Sequence, residues 1–296
     1  MEDKLITYGG QAIIEGVMMR GRKVYAMAMR APDGNIVTKV EPLGGIYKSP
    51  LAKIPFLRGL ILLWDSLGLG MRALTDAANV QTGENEKIEG PALYLTLTFT
   101  FLIAIAIFWL TPAGVGWLTE HFLNWNAWWS NLLEGVIRLL FLVGYIWGIG
   151  FMPDVRRVFS YHGAEHKTIN AYESGANLDP ATVARYPISH TRCGTAFLLT
   201  LMILSLLVFT LLGPLPLAWR LLSRVLMIPV LAGIAYEYIR WTANHINSPF
   251  VKAIIKPNLA LQSLTTREPD EKMLEVAITA FQTMRKAEEA AGQEVL

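Results

Sequence analysis

Hydrophobic positions fall into two regimes along this chain. Pro91 to Leu110 runs 20 residues without a charge and Thr195 to Gly213 runs 19, each long enough as a helix to cross roughly 30 Å of hydrocarbon. Two further stretches carry isolated charges. Leu132 to Met152 holds Glu134 and Arg138 at helical i,i+4 spacing, and Leu222 to Arg240 holds Glu237 near its end. Together these four stretches predict four membrane-spanning helices.

Outside them the period changes. Val24 to Arg30 and Ile36 to Val40 alternate around Pro32-Asp33-Gly34-Asn35, which predicts a β-hairpin. The preceding run, Tyr8 to Gly21, is rich in glycine and matches neither a dinucleotide nor a P-loop pattern; tight turns explain it, with a phosphate cradle as the other reading. From Ile54 to Leu74, Arg58, Asp65 and Arg72 recur every seven residues and set one polar stripe along an apolar helix. That helix is expected in the membrane surface or against the spans; as a fifth span it would sink three charges. After the last span an irregular stretch with Pro249 and Pro257 precedes a helix opened by Thr265 to Asp270, with Leu274, Ala277, Ile278, Phe281 and Met284 on one face and a frayed end beyond Lys286.

The expected fold is thus mainly α: a polytopic membrane protein with four transmembrane helices, a small N-terminal β-hairpin module and a C-terminal amphipathic helix. Its divisions are a cytoplasmic module at 1–90 with the hairpin and interfacial helix, a transmembrane domain at 91–240 with a cytoplasmic connection at 153–194, and a cytoplasmic tail at 241–296.

Composition agrees. Apolar residues make up 53% and charged residues 17%, and the mean hydropathy is +0.36, values that exclude disorder, coiled coil and collagen. The single cysteine, Cys193, excludes a disulfide scaffold. A net charge of +2 from 26 basic and 24 acidic residues gives no polyanion signature, so the expected partner is the lipid bilayer and not nucleic acid. The start Met1-Glu2-Asp3-Lys4 lacks a basic region followed by an apolar run, so no cleavable signal peptide is expected. Lysine and arginine number 11 before Pro91, 5 in Pro153 to Gly194 and 6 from Trp241 onward, against none in Thr111 to Asn131. Both termini are therefore expected in the cytoplasm, with only Arg220 and Arg224 opposing. Trp117, Trp125, Trp128 and Trp129 fit an outer interfacial belt.

Chemistry concentrates in the second cytoplasmic connection. Tyr161 to Gly175 has helical composition with a glycine where a C-cap falls. On that helix His162 and His166 share a face one turn apart, the spacing that lets two imidazoles meet one Zn²⁺. Glu165 completes His-x-x-Glu-His, the inverted form of a zinc-protease motif in which the glutamate accepts a proton. Glu173, two turns on and roughly 10 Å along the axis, suits a supporting contact, a second metal or the substrate. His190 and Cys193, three apart before the third span, supply the remaining donors of a tetrahedral set. Four bound donors make a closed structural site; three leave a position for catalysis. Cys193 also reads as a small buried hydrophobe, or as a nucleophile paired with His190. At the inner end of the last span, Glu237, Arg240 and His245 either join the site or form an ion pair with an interfacial histidine beside it.

The runs Gly9 to Gly21, Tyr161 to Ile169, His190 to Thr195 and Leu264 to Asp270 resemble the YqhQ-like family of bacterial membrane proteins over nearly the whole chain. The resemblance implies an inner-membrane location and a predicted metal-dependent enzyme within a domain of unknown function. The expected function is a metal-dependent enzyme whose cytoplasmic-face site, holding a divalent ion such as zinc, hydrolyses a membrane-surface substrate with Glu165 as proton acceptor. The alternatives are a scaffold or assembly protein that holds a structural metal and recruits a cytoplasmic protein, and a small-solute or ion transporter, which with four spans implies a homo-oligomer.

Overall fold

The computed structural model describes residues 8–44, 54–82, 90–191, 193–212 and 214–293. Met1 to Lys4 at the chain start, Arg192 and Gly213 lie outside the described residues. The hairpin is the second half of a four-stranded antiparallel meander: β1 (Gly9–Ile13), β2 (Gly16–Arg20), β3 (Val24–Arg30) and β4 (Ile36–Pro42), paired in chain order. The glycine-rich run therefore supplies two strands and not a set of turns. Its strands read poorly because the sheet is covered on both faces, so apolar residues fill both parities. Met18, Tyr25, Met27 and Met29 pack with Leu69, Ala73 and Ala77 of α1 (Leu57–Thr82). On the other face Val17, Met19, Ala26 and Ala28 meet Tyr161 and Ala164 on one helix, and Leu274, Ala277 and Phe281 on another.

Among the described residues four helices are long and apolar enough to cross a membrane: Leu93–Leu123, Ala127–Ile149, Gly194–Leu211 and Leu217–Asn244. The first is longer than predicted. It comprises α2 (Pro91–Ile105), a π-helical turn at Ala106–Leu110 and α3 (Thr111–Leu123), so most of the expected outer loop is helix. The other spans are α4 (Ala127–Ile149), α7 (Gly194–Leu211) and α8 (Leu217–Asn244), with α5 (Pro153–Glu173) and the short α6 (Pro180–Val183) connecting α4 to α7. The stretch expected to be irregular folds as α9 (Pro249–Ile254) and α10 (Lys256–Thr265), because Pro249 and Pro257 occupy first-turn positions, where a missing N–H costs nothing.

α11 (Glu271–Gln293) continues through the end expected to fray. The Glu288 carboxylate accepts the successive amides of Arg22, Lys23 and Val24 at 3.1, 3.0 and 3.3 Å, and a Cβ at Gly21 would lie 2.3 Å from it. The turn that follows the glycine-rich run, with its three successive amides, is thus filled by the protein's own carboxylate. α1 runs from the last span to the sheet: Arg58 pairs with Glu237, Gly59 abuts Tyr236, and its far half covers the sheet.

Within the bundle, Glu134, Arg138, Arg220 and Arg224 are fully buried and form one network. Glu134 takes hydrogen bonds from Arg138 at 2.7 Å, from Arg224 at 2.7 Å through both oxygens, and from Arg220 at 3.2 Å. Asn131 accepts from Arg220 and Arg224 at 2.7 and 2.9 Å. Arg138 Nε also donates to the Phe108 carbonyl in the π-helical turn. Arg220 and Arg224 are consequently interior partners of Glu134 and not part of a loop charge signal. Removing one member of such a network strands its partners, so Glu134→Ala should lower stability in detergent by about 3–5 kcal/mol in thermal unfolding. Glu289→Ala, at an exposed pair, should change it by about 0.5 kcal/mol or less; equal shifts would contradict the assignment.

Candidate metal centre

α5 begins right after the second span with Pro153 in its first turn and ends at Glu173, with Ser174 as its cap and Gly175 beyond it at a φ of +71°, the left-handed position that favours glycine. Its motif residues face inward. His166 is 1% exposed and Glu165 5%. The helix meets two other pieces of chain here. Cys193 is the N-cap of α7, with its sulfur accepting from the Thr195 amide at 3.4 Å. The segment just after α10 lies so close to α5 that a Cβ at Gly163 would sit against the Arg267 carbonyl oxygen, and the Arg267 amide donates to the Phe159 carbonyl.

His162, His166 and Cys193 each offer one ligand atom, and these atoms all lie within 4.8 Å of one another. His162 Nε2 is 3.1 Å from Cys193 Sγ. Zn–S and Zn–N bond lengths at a tetrahedral angle require about 3.5 Å for such an edge, so a small opening accommodates an ion. Both imidazoles are pre-set for ligation. His162 Nδ1 donates to the Thr265 carbonyl at 2.9 Å and His166 Nδ1 to the Ile188 carbonyl at 2.6 Å. A carbonyl can only accept, so in each neutral ring the proton sits on Nδ1 and the Nε2 lone pair is free.

Electrostatics match that chemistry. Burial opposes ionisation of Cys193, but the hydrogen bonds from His162 and His166 outweigh it and hold the thiol well below its ordinary range. Burial likewise opposes charge on His162, yet the sulfur beside it lifts the ring to about 9. Burial pushes His190 down to about 4, and burial raises the Glu165 carboxyl. Among the described residues no hydrogen bond reaches the Glu165 carboxylate. It lies against β1, where a Cβ at Gly10 would stand 2.9 Å from its Cδ.

His190 is not a member of the three-donor cluster. It lies in the loop before α7 and not on the helix, its ring centroid is 5.7 Å from that of His166, and its Nε2 is 3.6 Å from a Glu173 oxygen. Glu173 therefore supports His190 and stands apart from the three donors. The cysteine's imidazole partners are His162 and His166 and not His190. Glu237 takes hydrogen bonds from Arg58 and the Phe56 amide, with the Arg240 charge acting on it as well, so Arg58 joins the expected Glu237–Arg240 pair. His245 bonds the Trp241 carbonyl at 2.8 Å; neither group is placed at the cluster by any contact among the described residues.

Several positioning residues escaped the sequence pattern. Lys167 donates to the Ala184 and Tyr186 carbonyls, and Asn170 to those of Pro187 and Ser189, so α5 itself lays down the loop that leads to Cys193. Asn170 is one turn beyond His166, a spacing that flags it. Gln262 brackets the His190 peptide with two 2.9 Å bonds, and nothing in a stretch that read as irregular pointed to it.

A family model described as a protein of unknown function (DUF1385) matches residues 54–287. The uncharacterised protein YqhQ of Bacillus subtilis (strain 168) is 35% identical over 305 residues, an alignment covering 97% of this chain and 94% of that protein. No solved structure matches the chain. Gly163→Ala should push α10 from α5 and lower the thermal midpoint by an amount equivalent to about 1–3 kcal/mol. Gly144→Ala, whose Cβ meets open space, should leave it unchanged or higher; the reverse order would refute the close approach.

Proposed function

The chain belongs to the DUF1385 family of unknown function, and from that premise we propose that it is a membrane-embedded, metal-dependent hydrolase. His162, His166 and Cys193 hold a divalent ion of the zinc class on the cytoplasmic face, and the substrate is presented at the membrane surface. One observation carries this reading: three converging donors, both imidazoles pre-set by backbone carbonyls, beside a buried carboxylate with no hydrogen-bond partner among the described residues. Two imidazoles and a thiolate favour zinc over magnesium or calcium, which prefer oxygen. Three protein donors leave one position open, the arrangement of catalytic and not structural sites.

A bound ion supplies Lewis acidity to an oxygen presented at that position. The protein's own residues do the rest. Thr265 and Ile188 fix the rings, and Glu165, its affinity for protons raised by burial, accepts and returns a proton. Lys167, Asn170 and Gln262 hold the 184–190 loop so that Cys193 stays aimed at His162. The distribution of lysine and arginine supports the cytoplasmic placement. The 3.1 Å His162–Cys193 contact at the start of α7 supports a second reading, a thiolate nucleophile acting without metal.

Elemental analysis of the purified full chain separates the two. About one equivalent of zinc is expected, lost in His162→Ala, His166→Ala and Cys193→Ala and retained in Glu165→Gln. Metal-free wild type from zinc-replete cells would sink the metal reading in favour of the nucleophile. Affinity should also depend on pH with a defined sign. In the metal-free protein the Cys193 thiol is held well below its ordinary range while His162, raised to about 9, keeps its proton at neutrality. Binding must displace that one proton, so affinity should rise about tenfold per pH unit from pH 7 and level off above about 9. Titrations that show no pH dependence over that window would contradict the His162–Cys193 pairing.

A further inference from the structure

The two edges of the sheet are built differently. The β4 edge carries Lys39, Glu41 and Pro42, with Lys39 paired to Asp76, the charged and proline guards that blunt an open edge. The β1 edge, Gly9-Gly10-Gln11-Ala12-Ile13, has no charge and no proline, and Gly9 and Gly10 are exposed.

Its hydrogen-bonding groups can be assigned from the register. Ile13 pairs with Gly16 across the two-residue loop Ile14-Glu15, so this closing pair exchanges both ladder bonds. Inward-facing pairs alternate, which makes Gln11–Met18 and Gly9–Arg20 the next two. Gly10 and Ala12 therefore turn their N–H and C=O groups away from β2, and among the described residues nothing bonds to them. The two sets are spaced about 6.8 Å apart, the repeat of an antiparallel partner. Gly10 is also the residue against which Glu165 lies, and nothing comes within 4 Å of where a Gly9 side chain would begin. The unguarded edge thus runs directly beside the candidate centre.

We propose that the β1 edge docks an extended peptide segment as a fifth strand, laying its backbone across the centre, so that the membrane-surface substrate is a polypeptide. The inference takes its location from the metal-centre reading and adds the substrate class. Backbone pairing at Gly10 and Ala12 supplies binding without sequence preference, and the absence of side chains at Gly9 and Gly10 lets the partner strand approach closely.

The test uses the full chain in lipid nanodiscs, with an acetylated, amidated octapeptide pool randomised at every position at millimolar total concentration. Hydrogen exchange at the Gly10 and Ala12 amides should slow at least tenfold. A matched pool N-methylated at alternate residues should give no protection. Ala12→Pro removes only an outward N–H, a change an edge strand tolerates, and should abolish the protection of the remaining Gly10 amide while leaving zinc content and thermal midpoint unchanged. Absent protection, equal protection by the N-methylated pool, or protection surviving in Ala12→Pro overturns the proposal, whatever the zinc content. Protection by octapeptides in protein that binds no zinc would uphold edge docking and remove the centre as its neighbour.

Discussion

The contact between the His162 imidazole and the Cys193 sulfur joins parts of the chain that have little else in common. One partner belongs to a helix that covers a sheet, the other caps a helix with the composition of a membrane span. Burial alone would keep both neutral. Their proximity reverses that, because each charge stabilises the other more than the lost water costs at this separation. The close approach needs Gly163, where any side chain would collide with the Arg267 carbonyl, and it needs Thr265 and Ile188 to orient the rings. A site assembled from α5, the 184–190 loop, Cys193 and α10 is only as well defined as the placement of the spans beneath it.

That placement is polar as well as apolar. Leu142, Leu199, Met202, Phe209 and Leu231 form the core between α4, α7 and α8, but apolar packing against lipid-like neighbours gives little orientational preference. Glu134 with its three arginines supplies it. The network ties α4 to α8, while Arg138 reaches Ser205 on α7 and the π-helical turn of the first span. The cost of leaving any member unpaired makes the register of the helices nearly all-or-none. α7, fixed in this way, delivers Cys193 at its N-terminus.

Legibility in the sequence followed the physics of each segment. Uncharged runs announced the spans, and His-x-x-Glu-His placed on a helix gave two of three donors because helical periodicity brings residues four apart together. Boundaries were missed where composition alone carried the reading, as at 111–123, which is helix. β1 and β2 were hidden because both faces of the sheet are buried and glycine masks the alternation; α9 and α10 were hidden because Pro249 and Pro257 start helices and do not break them. Spacing from Cys193 predicts His190 as a fellow donor, but spacing has no force in a loop, and there Gln262 and Glu173 decide where the residue stands. Such long-range partners leave no local periodicity to read.

The account turns on one ion held by two imidazoles and a thiolate, with a fourth position left to solvent or substrate. X-ray absorption at the zinc K-edge of the purified, full-length protein reads that coordination shell directly. The prediction is one sulfur scatterer at about 2.3 Å and three nitrogen or oxygen scatterers at about 2.0–2.1 Å, with the outer-shell signature of two histidines. A shell without sulfur, or one made of oxygen donors alone, would contradict it.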